Sequence, residues 1–138
     1  MPPIAKQVIV MRKDLNMRKG KMIAQGAHAS MKVLLDRGAL ATDGPAGTGT
    51  GSATFTFTAT PAMEAWLGGR FTKVCVSVTS EQELDDIAAK ARATGVPCAV
   101  IVDAGKTEFN GVPTKTCIAV GPAWAEDVDA ITGALPLL

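Results

Sequence analysis

The tripeptide Gly105-Lys106-Thr107 is the first candidate for chemistry, because it follows the strand-like run 100–102. A nucleotide-binding P-loop ends in the same residue types, and its full pattern is G-x-x-x-x-G-K-[ST]. The first glycine of that pattern would fall at position 100, where the chain has valine. Gly111 and Pro113 then indicate a loop instead of the helix whose amino terminus must face the phosphates. The sequence therefore disfavours an ATPase or GTPase, and it leaves the role of Asp103 and of the tripeptide open.

A second candidate site lies on a predicted helix over residues 19–36. Lys21, Gln25, His28 and Lys32 follow one another at offsets of 4, 7 and 11 from the first, so at about 100° per residue they share one helix face. Lys19 stands at the amino terminus of this helix, where free backbone N–H groups and the helix dipole favour a phosphate. Lysine and glutamine are also common on a solvated helix surface, so the pattern alone leaves both interpretations open.

Charge is distributed unevenly along the chain. The net charge of the 138 residues is only +1, but seven cations and two carboxylates lie between Arg12 and Arg37. A local basic patch of this kind favours a polyanionic partner such as a nucleic acid. No apolar run approaches the roughly 20 residues of a membrane span, and the first residues lack a signal-peptide pattern. We therefore expect a cytoplasmic protein without a membrane partner.

Cysteine and histidine usage argues against a metal site. Cys75, Cys98 and Cys117 are far apart, each lies in an apolar run, and the chain has a single histidine. Zinc sites need close-spaced ligand pairs, which are missing. The sequence thus predicts no metal, no cofactor and three buried, reduced thiols.

The hydrophobic pattern predicts alternating strands and helices. Apolar β-rich runs predict strands over 6–12, 71–78, 97–103 and 114–122, and helical periodicity and caps predict helices over 19–36, 61–68, 80–95 and 123–133. This order indicates a single α/β domain over residues 1–138, with three α/β/α layers around a mixed, mostly four-stranded sheet. The strands 97–103 and 114–122 have no helix between them and should pair antiparallel.

Three finer expectations concern packing. The residues Ile23, Ala27, Met31 and Leu34 recur at helical spacing and predict the face of the first helix that meets the core. The segment 38–60 is rich in glycine and threonine, and we expect an insertion with a flexible loop over 43–52 and a short edge strand after it. The apolar tail 134–138 should dock against the domain.

Long stretches of the chain resemble the archaeal/eukaryotic type of peptidyl-tRNA hydrolase. The segment VIVMRKDLNMRKGKMIAQGAHAS is similar to that family's R-x-D-L-x-M-x-K-G-K-x-A-A-Q-x-x-H-A signature. The segments DAGKTEF, PTKTCIAVGPA and DAITGALPLL resemble its D-A-G-R-T-Q loop, the strand after that loop and its carboxyl-terminal motif. Lys106 and Glu108 depart from the usual arginine and glutamine, and the segment 38–60 has no counterpart in the motifs.

The resemblance implies an enzyme that hydrolyses the ester between a peptide and tRNA without a metal or cofactor. It implies catalytic roles for Lys21, Asp103 and Thr107, with His28 as a further group that could polarise the attacking water. The positions that would line the cleft or contact peptidyl-tRNA are Arg12, Lys19, Gln25, Lys32 and Lys106. The family resemblance also suggests a homodimer. The alternatives are a non-catalytic RNA-binding module of the same fold and a nucleotide-binding switch built on residues 105–107.

Overall fold

The computed structural model describes residues 3–45 and 47–138 of the chain. Its elements follow one another as β1 (Ala5–Arg12), α1 (Lys19–Leu35), β2 (Gly38–Thr42), β3 (Ala53–Phe57), α2 (Pro61–Leu67), β4 (Lys73–Val78), α3 (Glu81–Ala93), β5 (Cys98–Asp103), β6 (Thr114–Trp124) and α4 (Ala125–Thr132). All four predicted strands and all four predicted helices are present, with ends that differ from the predicted ones by a few residues. None of the helices in the described ranges has the length and apolar composition needed to cross a membrane.

The main sheet has four strands in the order β4-β1-β6-β5. The central strand β1 is parallel to β4 and antiparallel to β6. The predicted antiparallel pairing of the last two strands is confirmed, because β5 and β6 pair from Cys98↔Val120 to Asp103↔Thr114. The sheet is therefore mixed, and β4 and β5 form its two edges.

Helices cover both faces of this sheet, so the predicted three-layer α/β/α fold is confirmed. On one face, Leu84 and Ala88 of α3 and Val128 of α4 pack on the β-branched side chains of the strands. On the other face, Ala29 of α1 and Met63 of α2 pack on the alternate residues of the same strands. Successive strand residues point to opposite faces of a sheet, so each strand contributes to both cores.

The predicted core face of α1 is wrong for Ile23, Ala27 and Met31, which are exposed, whereas Leu34 is half-buried and packs against the core. Ile23 is 73% exposed and Met31 is 54% exposed. The residues of α1 that are buried against the sheet are Gln25, Gly26, Ala29 and Val33. This strip is short and partly polar, so a hydrophobicity pattern does not single it out; the amide of Gln25 can be buried because its hydrogen bonds are made inside the protein.

The segment 38–60 contains a separate two-stranded sheet. β2 and β3 pair antiparallel from Gly38↔Phe57 to Thr42↔Ala53, and neither belongs to the main sheet. The second strand of the hairpin matches the predicted short strand, although it pairs with β2 and not with the edge of the core. Gly38 begins β2, where a Cβ would collide with the carbonyl oxygen of Thr56. Residue 46 of the predicted loop, and residues 1 and 2 of the predicted domain, lie outside the described ranges.

The carboxyl-terminal tail docks on the outer edge of β4, as predicted. Ser77 N–H donates to Pro136 O at 2.9 Å, and Leu138 N–H donates to Cys75 O at 3.1 Å. These bonds satisfy part of an edge strand that would otherwise present free backbone groups.

The three thiols differ in burial, which corrects the expectation that all are buried. Cys117 is buried, Cys98 is half-buried and Cys75 is exposed. Cys75 is exposed because it lines an open groove on the face of the sheet beside α1. Burial raises the pKa of the Cys117 thiol to about 11, and it also raises the pKa of Cys98. Neither of these two thiols is therefore a thiolate nucleophile at neutral pH.

Candidate active site

Lys21 and Asp103, which are 82 residues apart in the chain, form the centre of the candidate site. The ammonium Nζ of Lys21 lies 2.7 Å from Asp103 Oδ1 and 3.1 Å from Thr107 Oγ1. The side chains of Lys21 and Asp103 are 15% and 14% exposed, whereas Thr107 is exposed. The contact therefore lies at the protein surface in a partly desolvated position, open to a ligand on the Thr107 side.

The backbone after β5 holds the carboxylate of Asp103 in place. Gly105 N–H donates to Asp103 Oδ2 at 2.8 Å. Gly105 has a φ of +81°, which favours glycine, and a Cβ at this position would collide with the backbone of Val112. The Gly of the tripeptide thus serves a tight turn that brings Thr107 back towards Lys21.

Gln25 connects the carboxylate to the core. Its Nε2 donates to Asp103 Oδ1 at 3.4 Å, and its Oε1 accepts a hydrogen bond from Thr116 Oγ1 at 2.5 Å. Thr116 is fully buried on β6, and sequence reasoning did not identify it. The only signal was a threonine within an otherwise apolar strand, which is not specific because threonine is common in strands.

The charge state of Asp103 follows from these contacts. The hydrogen bond from Lys21 lowers the pKa of the Asp103 carboxyl, and the Gly105 N–H, the positive charge of Lys21 and the Gln25 amide lower it further against the opposing effect of desolvation. Asp103 is therefore a carboxylate at neutral pH. The site combines a fixed anion, a fixed cation and a hydroxyl within one hydrogen-bonded group.

His28 and Lys32 lie further along α1 and line a different recess. This recess has a volume of about 430 Å³ and runs between the flank of α1 and residues 100–102 of β5. Within the described ranges, no hydrogen bond joins His28 to the Lys21–Asp103 cluster. Lys32 forms an ion pair with Asp36 at 3.0 Å.

The other predicted tRNA-binding cations differ in their surroundings. Lys19 and Lys106 are exposed. Arg12 is held by Asp14, at 2.7 Å between NH2 and Oδ2, and it also donates to the carbonyl oxygen of Lys115 at 3.1 Å. The side chain of Arg12 is only 12% exposed, so it ties the end of β1 to β6 and presents little of its charge to solvent.

The geometry excludes a P-loop. The chain turns after Asp103 and enters β6 at Thr114, and no helix begins between Thr107 and Thr114. A phosphate cradle requires a helix amino terminus at this point. Among the described residues, no three histidine, cysteine or acidic side chains converge as metal ligands.

Comparisons with known proteins place this chain in a family. A model of the family described as peptidyl-tRNA hydrolase PTH2 matches residues 5–138. The chain belongs to this family. It is 42% identical over 133 residues to the peptidyl-tRNA hydrolase of Methanocaldococcus jannaschii, covering 96% of this chain and 99% of that protein.

Two more relatives carry the same name. The peptidyl-tRNA hydrolases of Haloquadratum walsbyi and Thermococcus onnurineus are 39% and 38% identical to the chain, which covers 98% and 97% of their lengths. The family resemblance stated from the motifs is therefore confirmed, and with it the class of enzyme. The roles of individual residues in this peptidyl-tRNA hydrolase family member stay predictions.

Replacement of Lys21 should change the titration of Asp103. Lys21→Met removes the ammonium that stabilises the charged form of Asp103, whereas the desolvation that disfavours the charged form remains. The pKa of Asp103 should therefore rise towards or above its ordinary value of 3.8. Carbon-13 NMR of the carboxyl group measures this pKa, and Lys90→Met on α3 is the matched control.

The same replacement has a consequence for stability. A lowered native pKa stabilises the fold above the unfolded-state pKa of about 3.9, and this contribution is lost as the pH falls through the native value. The difference in free energy of unfolding between the wild type and Lys21→Met should thus shrink below about pH 4. An Asp103 titration that is identical in both proteins would contradict the assigned contact.

Proposed function

We propose that this protein hydrolyses the ester bond that joins a peptide to the terminal ribose of tRNA, with no metal ion. The observation that carries the proposal is the contact of Lys21 with both Asp103 and Thr107 in a member of the peptidyl-tRNA hydrolase family. Ester hydrolysis requires an oriented water and a positive group near the oxyanion that develops. A carboxylate and an ammonium that are fixed to each other supply these two requirements.

The proposed division of roles follows from hydrogen-bond capacity. An ammonium has three N–H donors, and Lys21 directs one to Asp103 and one to Thr107, which leaves the third for the carbonyl oxygen of the ester. Thr107 accepts from Lys21, so its own proton is free to bond the substrate or the water. Asp103 accepts from Lys21, Gln25 and Gly105 and retains lone pairs that can orient the attacking water as a general base.

The positive charge of Lys21 also explains why the reaction should not need a metal. In a partly desolvated site, an ammonium within hydrogen-bond distance of the oxyanion stabilises it as a bound cation would. The fixed partners hold Lys21 before the substrate arrives, which lowers the reorganisation required in the transition state. His28, which has no bond to the cluster, is proposed to act on binding and not on the chemical step.

The alternative function is an RNA-binding module that does not turn over its ligand. The partly exposed carboxylate of Asp103 beside Lys21 opposes that alternative, since it would repel RNA phosphates and weaken simple binding. A nucleotide-binding switch would need a helix directly after Thr107 to hold the phosphates, and this chain instead turns and enters β6.

Hydrolysis of N-acetyl-aminoacyl-tRNA tests the proposal. The wild type should release the acyl group at an unchanged rate with EDTA present. Lys21→Ala should lower kcat by about 10²–10³-fold, the range typical of removing one oxyanion donor. Asp103→Asn should lower kcat by about 10²–10⁴-fold, the range typical of removing a general base. Lys90→Ala, an exposed cation on the opposite face of the sheet, is the control and should retain full activity.

Two outcomes would contradict this proposal. Full turnover by both site variants would show that the catalytic groups lie elsewhere. Tight binding of the acylated tRNA by the wild type, with no release above the uncatalysed rate, would favour the RNA-binding module.

Binding of tRNA is proposed to occur mainly through phosphates contacted by exposed cations, with Lys19 and Lys106 nearest the site in sequence. Lys19→Ala and Lys106→Ala should each weaken binding of all tRNAs to a similar extent and reduce the slope of log affinity against log salt concentration by roughly 1. Fluorescence anisotropy at several salt concentrations measures the slope. Weakening that differs between tRNA sequences would contradict a phosphate contact.

The homodimer implied by the family resemblance and the cytoplasmic location expected from the sequence remain part of the proposal. A groove of about 620 Å³ carries exposed apolar side chains from α1, from the turn before β4 and from the tail; these include Ile23, Met31, Phe71 and Leu138. Covering them with a second copy would remove this apolar surface from water. A sedimentation experiment that finds only monomer at high concentration would contradict the dimer.

A further inference from the structure

The outer edge of β5 is an unpaired strand edge that begins at the candidate active site. In the strand order β4-β1-β6-β5, β5 pairs only with β6 among the described residues. The opposite edge, on β4, is partly covered by the tail through Ser77–Pro136 and Cys75–Leu138 hydrogen bonds. Free strand edges readily accept another extended chain, and β5 ends in the carboxylate of Asp103.

The direction of the backbone groups on β5 follows from its ladder. The carbonyl oxygen of Pro97 accepts a hydrogen bond from Gly121 N–H at 2.7 Å, so the backbone C=O of residue 97 points towards β6. Alternate residues of an antiparallel ladder face the same partner, which directs residues 99 and 101 towards β6. The N–H and C=O of Val100 therefore point outward, away from the sheet.

A recess borders this edge. The flank of α1 overhangs β5 and, with Val100, Ile101 and Val102, lines the volume of about 430 Å³ described above. Val102 is 56% exposed, and Leu35 adds a second apolar contact on the helix side. The polar rim carries His28 and the Lys32–Asp36 ion pair, whose opposite charges largely offset each other.

We propose that this recess binds the peptide portion of peptidyl-tRNA as an added strand on β5. The inference rests on the proposed hydrolase function, because that function places the ester at Lys21, Asp103 and Thr107. A peptide whose carboxyl-terminal ester lies at Asp103 would run parallel to β5, back towards Cys98. The part of β5 from the ester at Asp103 back to Val100, the first β5 residue that lines the recess, has four residues. An added strand rises about 3.3 Å per residue, as β5 does, so roughly four peptide residues fit along this part of the edge.

The chemistry of the recess favours a peptide over RNA. The lining contains no phenylalanine, tyrosine or tryptophan, and its aromatic ring is the imidazole of His28 on the rim. Successive bases would therefore find little stacking surface, and Lys32 is already paired with Asp36. Backbone hydrogen bonds recognise any extended peptide and leave its side chains largely free. This suits an enzyme whose substrates carry peptides of many sequences.

Peptide length and amide methylation test the proposal. The substrates are alanine tRNAs that carry N-acetylated peptides of one to five residues, together with amide-linked analogues that cannot be hydrolysed. The wild type should gain on the order of tenfold in kcat/KM and in affinity for the analogues up to about four residues, because two or three backbone bonds each contribute modestly. N-methylation should abolish this gain at every second amide only, since alternate N–H groups face the strand.

The contribution of β5 to peptide binding is tested by Val100→Pro, which removes the outward N–H of the strand without removing a hydrogen bond to β6. This variant should lose the gain from peptide length. Cys75→Pro is the matched control, because Cys75 also lies on an edge strand and Leu138 bonds its carbonyl oxygen from outside the sheet; it should keep the gain. If Val100→Pro does not fold, the methylation pattern on the wild type decides the question.

Three results would overturn the proposal. They are a kcat/KM and an affinity independent of peptide length, a sensitivity to methylation without alternation, and an equal loss in both proline variants. Failure of the proposed function would be recognised separately, since it would abolish hydrolysis of the single-residue substrate. The analogues would then still report whether affinity depends on peptide length.

Discussion

The ion pair between Lys21 and Asp103 is the interaction on which the candidate site depends. It connects a helix on one face of the sheet to the end of an edge strand, and it is partly withdrawn from water. Removing one partner of such a pair leaves the other charge poorly compensated. The surrounding structure therefore has to hold both groups, and Gln25 and the turn at Gly105 are the features that do so.

Gln25 explains how α1 can place its polar residues against the sheet. Its amide is buried and bonded to Thr116 on one side and to Asp103 on the other. A second contact, from Cys117 Sγ to the backbone oxygen of Gln25 at 3.3 Å, fixes the same turn of the helix to β6. With Gly26 and Ala29 as the next buried residues, α1 is positioned by polar bonds and small side chains.

This orientation of α1 gives its two flanks different surroundings. One flank carries Lys21 and, further along, the recess beside the open edge of β5. The other flank carries Ile23 and Met31 into the apolar groove next to β4 and the tail. The proposed chemistry and the proposed peptide contact thus share one flank, while the apolar residues of the helix are left exposed on the other.

The sequence by itself was sufficient for the order of the helices and the main-sheet strands, the mixed sheet, the family and a set of candidate site residues, because these depend on local periodicity, turn residues and motif order. It did not give the rotation of α1 correctly, since hydrophobicity pointed to Ile23 and Met31 and could not anticipate a buried glutamine with partners on β5 and β6. Only the tertiary structure brought Lys21, Asp103 and Thr107 together, separated His28 from them and engaged Arg12 with Asp14. The physical reason is that these relations join residues distant in the chain, and their distances are set by how the helix packs on the sheet.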